Sequence, residues 1–79
     1  MEKMIQISYD KTGDVLYLSV GDPRPAISEE IGDDVLLRLD VDTGELVGLT
    51  MLNFSQRFSE AHTAENVPVG IELHRIGEN

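Results

Sequence analysis

The first triplet with a chemistry attached to it is Asp42-Thr43-Gly44, which matches the catalytic triplet of aspartic proteases. In the small dimeric enzymes of that type, two such triplets meet so that two carboxylates share one proton. The surroundings here do not suit that task. Asp40 breaks the apolar run that should precede the triplet, and Glu45 adds charge where a proton must be shared. A glycine-rich flap and a second glycine motif are absent. An aspartate and a glycine in a hairpin turn account for the triplet without catalysis.

Asp40, Asp42 and Glu45 also suggest oxygen ligands for a hard cation. A helix-loop-helix calcium site needs Gly at its sixth position and Glu at its twelfth. Counted from Asp40, those positions hold Glu45 and Met51, so no metal site is assigned and the three acids stay weak candidates for adventitious cation binding. His62 and His74 are the only imidazoles, fall on different expected elements, and read as surface histidines. None of the five serines lies in a nucleophile elbow, and no phosphate-cradling glycine loop is present. The expectation is therefore no catalytic residue, no cofactor and no enzyme.

The elements around these residues are mostly strands. Ile5, Ile7 and Tyr9 alternate with Gln6 and Ser8, the two-residue period of a half-buried strand. Asp10 to Asp14 reads as a hairpin loop, and Val15 to Val20 as the returning strand, with Val15 and Tyr17 making its second face apolar. Pro23 and Pro25 remove backbone donors and mark a loop. Ala26 to Ile31 could form a short polar strand; Gly32-Asp33-Asp34 is a turn. Val35, Leu37, Leu39 and Val41 alternate as the clearest strand, and Asp42 to Glu45 turns it back into Leu46 to Leu52. Positive φ, or at least a place within a hairpin loop, is expected at Gly13 or Gly44. Thr12-Gly13-Asp14-Val15-Leu16 resembles Thr43-Gly44-Glu45-Leu46-Val47, a likeness that two similar hairpins explain.

At Asn53 the period changes. Asn53 and Gln56 have the spacing of a capping box. Phe54, Phe58 and Ala61 then follow at helical spacing, which predicts a short helix from about Phe54 to His62. Val69, Ile71 and Leu73 suggest a last strand behind Pro68. The fold class is α+β: a mostly antiparallel β-meander of five or six strands with one short helix after strand five. Ile5, Ile7, Leu16, Leu18, Leu37, Leu39, Val47 and Leu49 should line its core, with Leu36 and Leu46 on the other face.

Length and charge narrow the classes further. The 79 residues allow one domain, 1–79, whose core must be thin. A net charge of −9 disfavours nucleic acid and anionic membrane. Seven of the 15 acidic residues lie between Glu29 and Glu45, either as a solvated face or as a docking patch for a basic partner. The absence of cysteine makes a reducing cytoplasm the default, and no apolar run is long enough to span a membrane. Asn53-Phe54-Ser55 matches a glycosylation sequon by chance.

Taken in order, Tyr9-Asp10 with Asp14-Val15-Leu16-Tyr17-Leu18, then Ser28-Glu29-Glu30, Val35 to Asp40, and Val47 to Ser55 resemble the short prokaryotic proteins of domain-of-unknown-function family 2283. The resemblance spans Ile5 to Arg57; Phe54 stands where alanine is commoner. It implies no catalytic residue. Some members look to be encoded beside small toxin-like proteins, which implies an antitoxin-like or other partner-binding role. The function expected is protein–protein interaction by a small regulatory domain, with a small-ligand or divalent-cation module as the alternative. The second apolar face of Val15 and Tyr17 further predicts a homodimer, and the acidic patch a small basic protein partner.

Overall fold

Every stretch read above as a strand between Ile5 and Leu52 is one in the computed structural model, which describes residues 4–58, 64, 66–70 and 75–77. The strands are β1 (Ile5–Asp10), β2 (Val15–Val20), β3 (Ala26–Gly32), β4 (Val35–Asp40) and β5 (Leu46–Leu52). Helix α1 (Phe54–Arg57) follows β5. Together they make the expected antiparallel meander with one short helix after strand five. The lateral order is β1-β2-β5-β4-β3, so β5 returns to lie between β2 and β4. The helix expected to reach His62 ends at Arg57, with Phe58 as its C-cap, and the strand expected over Val69, Ile71 and Leu73 falls mostly outside the described residues. Residues 59–63 and 71–74, with both histidines, lie outside the described residues, and Val69 and Gly70 are not in a strand.

Directly paired residues share a sheet face. Leu16, Met51 and Val35 therefore form one row across β2, β5 and β4, and Leu18, Leu49 and Leu37 the next. Val35, Leu37, Val47 and Met51 on this face are buried, while Leu16, Leu18, Leu39 and Leu49 are half-buried. Ile5 and Ile7, expected in the core, are instead exposed. Alternation fixes which side chains share a face, but β1 is an edge strand and, among the described residues, has a neighbour on one side only. The ring of Phe54 reaches Tyr9 at 5.7 Å and Phe58 packs against Phe54 in a tilted pair at 5.1 Å, so aromatic cover extends no further along β1 than its end.

Two register shifts reshape the sheet. One falls between Arg38 and Leu39, where the ladder passes from Arg38↔Gly48 to Leu39↔Leu46 and leaves Val47 extra. This bulge brings Leu46 opposite Leu39, so Leu46 leaves the face expected for it. The other shift lies between Glu30 and Gly32 in β3. Gly48, beside Ser19 in the middle of the sheet, is required by close approach. A Cβ there would run into the main-chain oxygen of Leu18.

Candidate functional site

The β1–β2 turn, the β3–β4 turn and the exit from β5 meet at one end of the sheet, since Val15 pairs with Leu52 and Val35 with Met51. The non-glycine residues with positive φ among the described residues all lie here: Asp14 (57°), Asp34 (63°) and Asn53 (52°). Asp and Asn are the types that tolerate this left-handed region best. Each serves a contact there. The main-chain oxygen of Asp34 accepts from the Leu52 amide at 2.7 Å, and that of Asp14 from the Phe54 amide at 3.0 Å. The end of β5 is thus held on either side by a turn aspartate.

Side chains complete the clasp. The Asp14 carboxylate accepts from the Ser55 amide at 3.0 and 3.2 Å and from the Ser55 hydroxyl at 2.8 Å. The Tyr9 hydroxyl donates to Asp14 Oδ1. Asn53 Nδ2 donates to Asp34 Oδ2 at 3.0 Å, and Arg57 Nη1 donates to the Asp33 carbonyl. Asn53 is the N-cap by position but makes no side-chain cap bond, so the expected capping box is not formed. Asp14, from a turn 41 residues away in sequence, caps α1 in its place. Its carboxyl is held below the usual aspartate range by the Tyr9 hydroxyl first, then by the Ser55 amide and hydroxyl. The Tyr9 phenol is raised in turn, first by its hydrogen bond to Asp14. Both groups are stabilised in the forms they hold at neutral pH, carboxylate and phenol, which suits a fastening more than proton transfer.

The acids singled out from sequence sit at the opposite end. Asp40 Oδ1 accepts from the Asp42 amide at 2.7 Å and the Thr43 amide at 3.0 Å, while Oδ2 faces Arg24 Nη1 at 3.3 Å. Glu45 Oε1 lies 3.5 Å from the same Arg24 nitrogen and accepts from the Thr43 hydroxyl at 3.3 Å. Asp42 is exposed. A guanidinium therefore stands where a cation would be held, and no group of three such donors among the described residues could hold a metal ion. The Asp40 carboxyl is lowered mainly by the Thr43 and Asp42 amides, with Arg24 a lesser cause. Asp42-Thr43-Gly44 forms the hairpin turn, with Gly44 at φ 77°.

Sequence reasoning did not single out Tyr9, Asp14, Asp34 or Ser55 as a group. The available signal was that Tyr9, Asp14 and Ser55 stand in the two outer pieces of the family resemblance. A family model described as "Protein of unknown function (DUF2283)" matches residues 6–55, a span that contains this clasp from Tyr9 to Ser55. No curated protein and no solved structure matches the chain.

Proposed function

The chain belongs to the DUF2283 family of proteins of unknown function, and from that premise we propose that it is a protein–protein interaction module. It acts as an antitoxin-like regulatory domain, a homodimer that presents an acidic surface to a small basic partner. The observation that carries this reading is the placement of charge on the β3 side of the sheet. Glu29 and Glu30 on β3, and Asp33 in the turn that follows, are all exposed on a chain of net charge −9. Such an edge attracts a basic partner over several ångströms and speeds its encounter. The remaining notable acids are already engaged, Asp14 by Tyr9 and Ser55 and Asp40 by its own turn, which favours binding over catalysis. The cysteine-free composition favours the cytoplasm. No helix among the described residues is long and apolar enough to cross a membrane.

The test is affinity capture from the source cell at low ionic strength, with bound proteins identified by mass spectrometry. A small basic protein should be retained, should elute as salt screens the contact, and should be lost when Glu29→Lys and Glu30→Lys are combined. Retention indifferent to those two substitutions, or no basic protein at all, would overturn the reading.

A further inference from the structure

We propose that β1 is a self-pairing edge. Two copies join antiparallel through it, with Ile7 on the twofold axis and Ile5 opposite Tyr9, so that one sheet continues through both. The proposal rests on the homodimer reading above and names its surface.

The two edges of the sheet differ in how they are protected. β3 carries three devices against strand addition: Pro25 precedes it without an N–H, its ladder shifts between Glu30 and Gly32, and Glu29 and Glu30 are charged. Such features blunt an edge. The segment Ile5–Tyr9 of β1 has none of them. It holds no proline and no charge, and its register with β2 is unbroken from Ile5↔Val20 to Asp10↔Val15. Ile5, Ile7 and Tyr9 leave 40%, 66% and 45% of their surface exposed, in one row on the core face of the sheet.

The backbone points the same way. The Gly21 amide donates to the Met4 carbonyl at 2.8 Å, which makes Met4–Gly21 a hydrogen-bonded pair. Antiparallel ladders alternate strictly. The amides and carbonyls of Ile5, Ile7 and Tyr9 therefore face away from β2, toward the edge that no described strand pairs. The residues with outward backbone groups are the same three that expose apolar side chains.

The occupant is a second copy because the edge is complementary to itself. Centring the twofold on Ile7 is the register that engages all three residues, Ile7 with its counterpart and Ile5 with Tyr9. It also sets Gln6 opposite Ser8 on the other face. Antiparallel pairing keeps faces, so the apolar row runs on across the junction. Charge agrees. Two chains of −9 repel, and Ile5–Tyr9 brings no charged side chains together, whereas β3 paired with itself would bring glutamates together. A basic partner finds no acid on Ile5–Tyr9 to meet.

The experiment combines light scattering at tens of micromolar with cysteine cross-linking. The chain has no cysteine, so Ile7→Cys introduces a single thiol. A hydrogen-bonded antiparallel pair sets Cα atoms about 5.5 Å apart, within the range of a disulfide. Ile5→Cys is the control, because its counterpart lies roughly 13 Å along the neighbouring strand. The expected results are a dimeric mass for the unaltered chain, a reducible covalent dimer from Ile7→Cys with oxidised glutathione, none from Ile5→Cys, and half the mass for Ile7→Lys. A monomeric mass for the unaltered chain overturns the homodimer reading itself. A dimeric mass that Ile7→Lys leaves unchanged, without the Ile7→Cys cross-link, keeps the dimer and removes β1 as its surface. Equal cross-linking at positions 5 and 7 removes the register.

Discussion

The two ends of the sheet build nearly the same turn and use it differently. At one, Asp10 Oδ1 accepts from the amides of Thr12 and Gly13; at the other, Asp40 Oδ1 accepts from those of Asp42 and Thr43. Each turn then closes on a left-handed residue, Asp14 at φ 57° or Gly44 at φ 77°. Glycine has no side chain to offer, so the second turn's carboxylate bonds remain local, apart from Arg24. Aspartate tolerates the same backbone and adds a carboxylate that reaches Tyr9, Ser55 and the start of α1. One residue type at one turn position separates a connection between two strands from a clasp that joins three parts of the chain.

The severest way to break this comparison is Asp14→Ala, which loses both the carboxylate and a residue suited to positive φ. It should lower the thermal midpoint by more than Asp40→Ala does, with α1 losing its cap; equal shifts in calorimetry would mean that the two turns are equivalent after all. A reciprocal exchange is gentler and more informative. Asp14→Gly keeps the backbone and removes only the carboxylate, so it should still destabilise. Gly44→Asp should be better tolerated than Gly44→Val, since a β-branched residue in the left-handed region costs about 1–2 kcal/mol.

Acid titration sharpens the contrast. Asp14 and Asp40 both have folded-state pKa values below the ordinary 3.8, so each contributes stability above that value and loses it as pH falls through the lowered one. Asp40's leading causes are amides two and three residues away, contacts that an unfolded chain can keep in part. Asp14's leading causes come from Tyr9 and Ser55, which only folding brings near. Asp14→Asn should therefore flatten the acid limb of a stability–pH profile more than Asp40→Asn. The smallest effect is alkaline. Tyr9 is raised, so its contribution is complete below its ordinary pKa of 10.0 and fades as pH rises through the higher value. Tyr9→Phe should remove that fading, as followed by circular dichroism.

The strands were legible because alternation and Gly or Asp punctuation survive in a thin sheet: Val15–Val20 and Leu46–Leu52 begin and end where their residues change character. The clasp was not. Positive φ is ordinarily read from glycine, which marked Gly44 correctly but drew attention to Gly13 and away from Asp14. Thr12-Gly13 against Thr43-Gly44 accordingly sets the likeness between the turns one residue out of step, whereas Asp14 is the residue that corresponds to Gly44. The capping box at Asn53 fits any local rule, but the cap comes from β1–β2, a contact with no local trace. Period also could not reveal that Ile5 and Ile7 lie on an edge, nor that the extra residue at Val47 moves Leu46 to the other face. Those facts depend on which strand lies beside which.

The lateral order β1-β2-β5-β4-β3 has a bearing on synthesis. Each outer hairpin is a local structure that can close as soon as it leaves the ribosome. Neither pairs with the other: β2 and β4 are joined only through β5, the last of the described strands to be made. Until Leu52 has emerged, a nascent chain holds two separate hairpins whose inner edges are both open. The seam then closes in one event, when a single strand satisfies both edges, and the chain is most open to pairing with the wrong neighbour in the interval before Leu46–Leu52 leaves the ribosome.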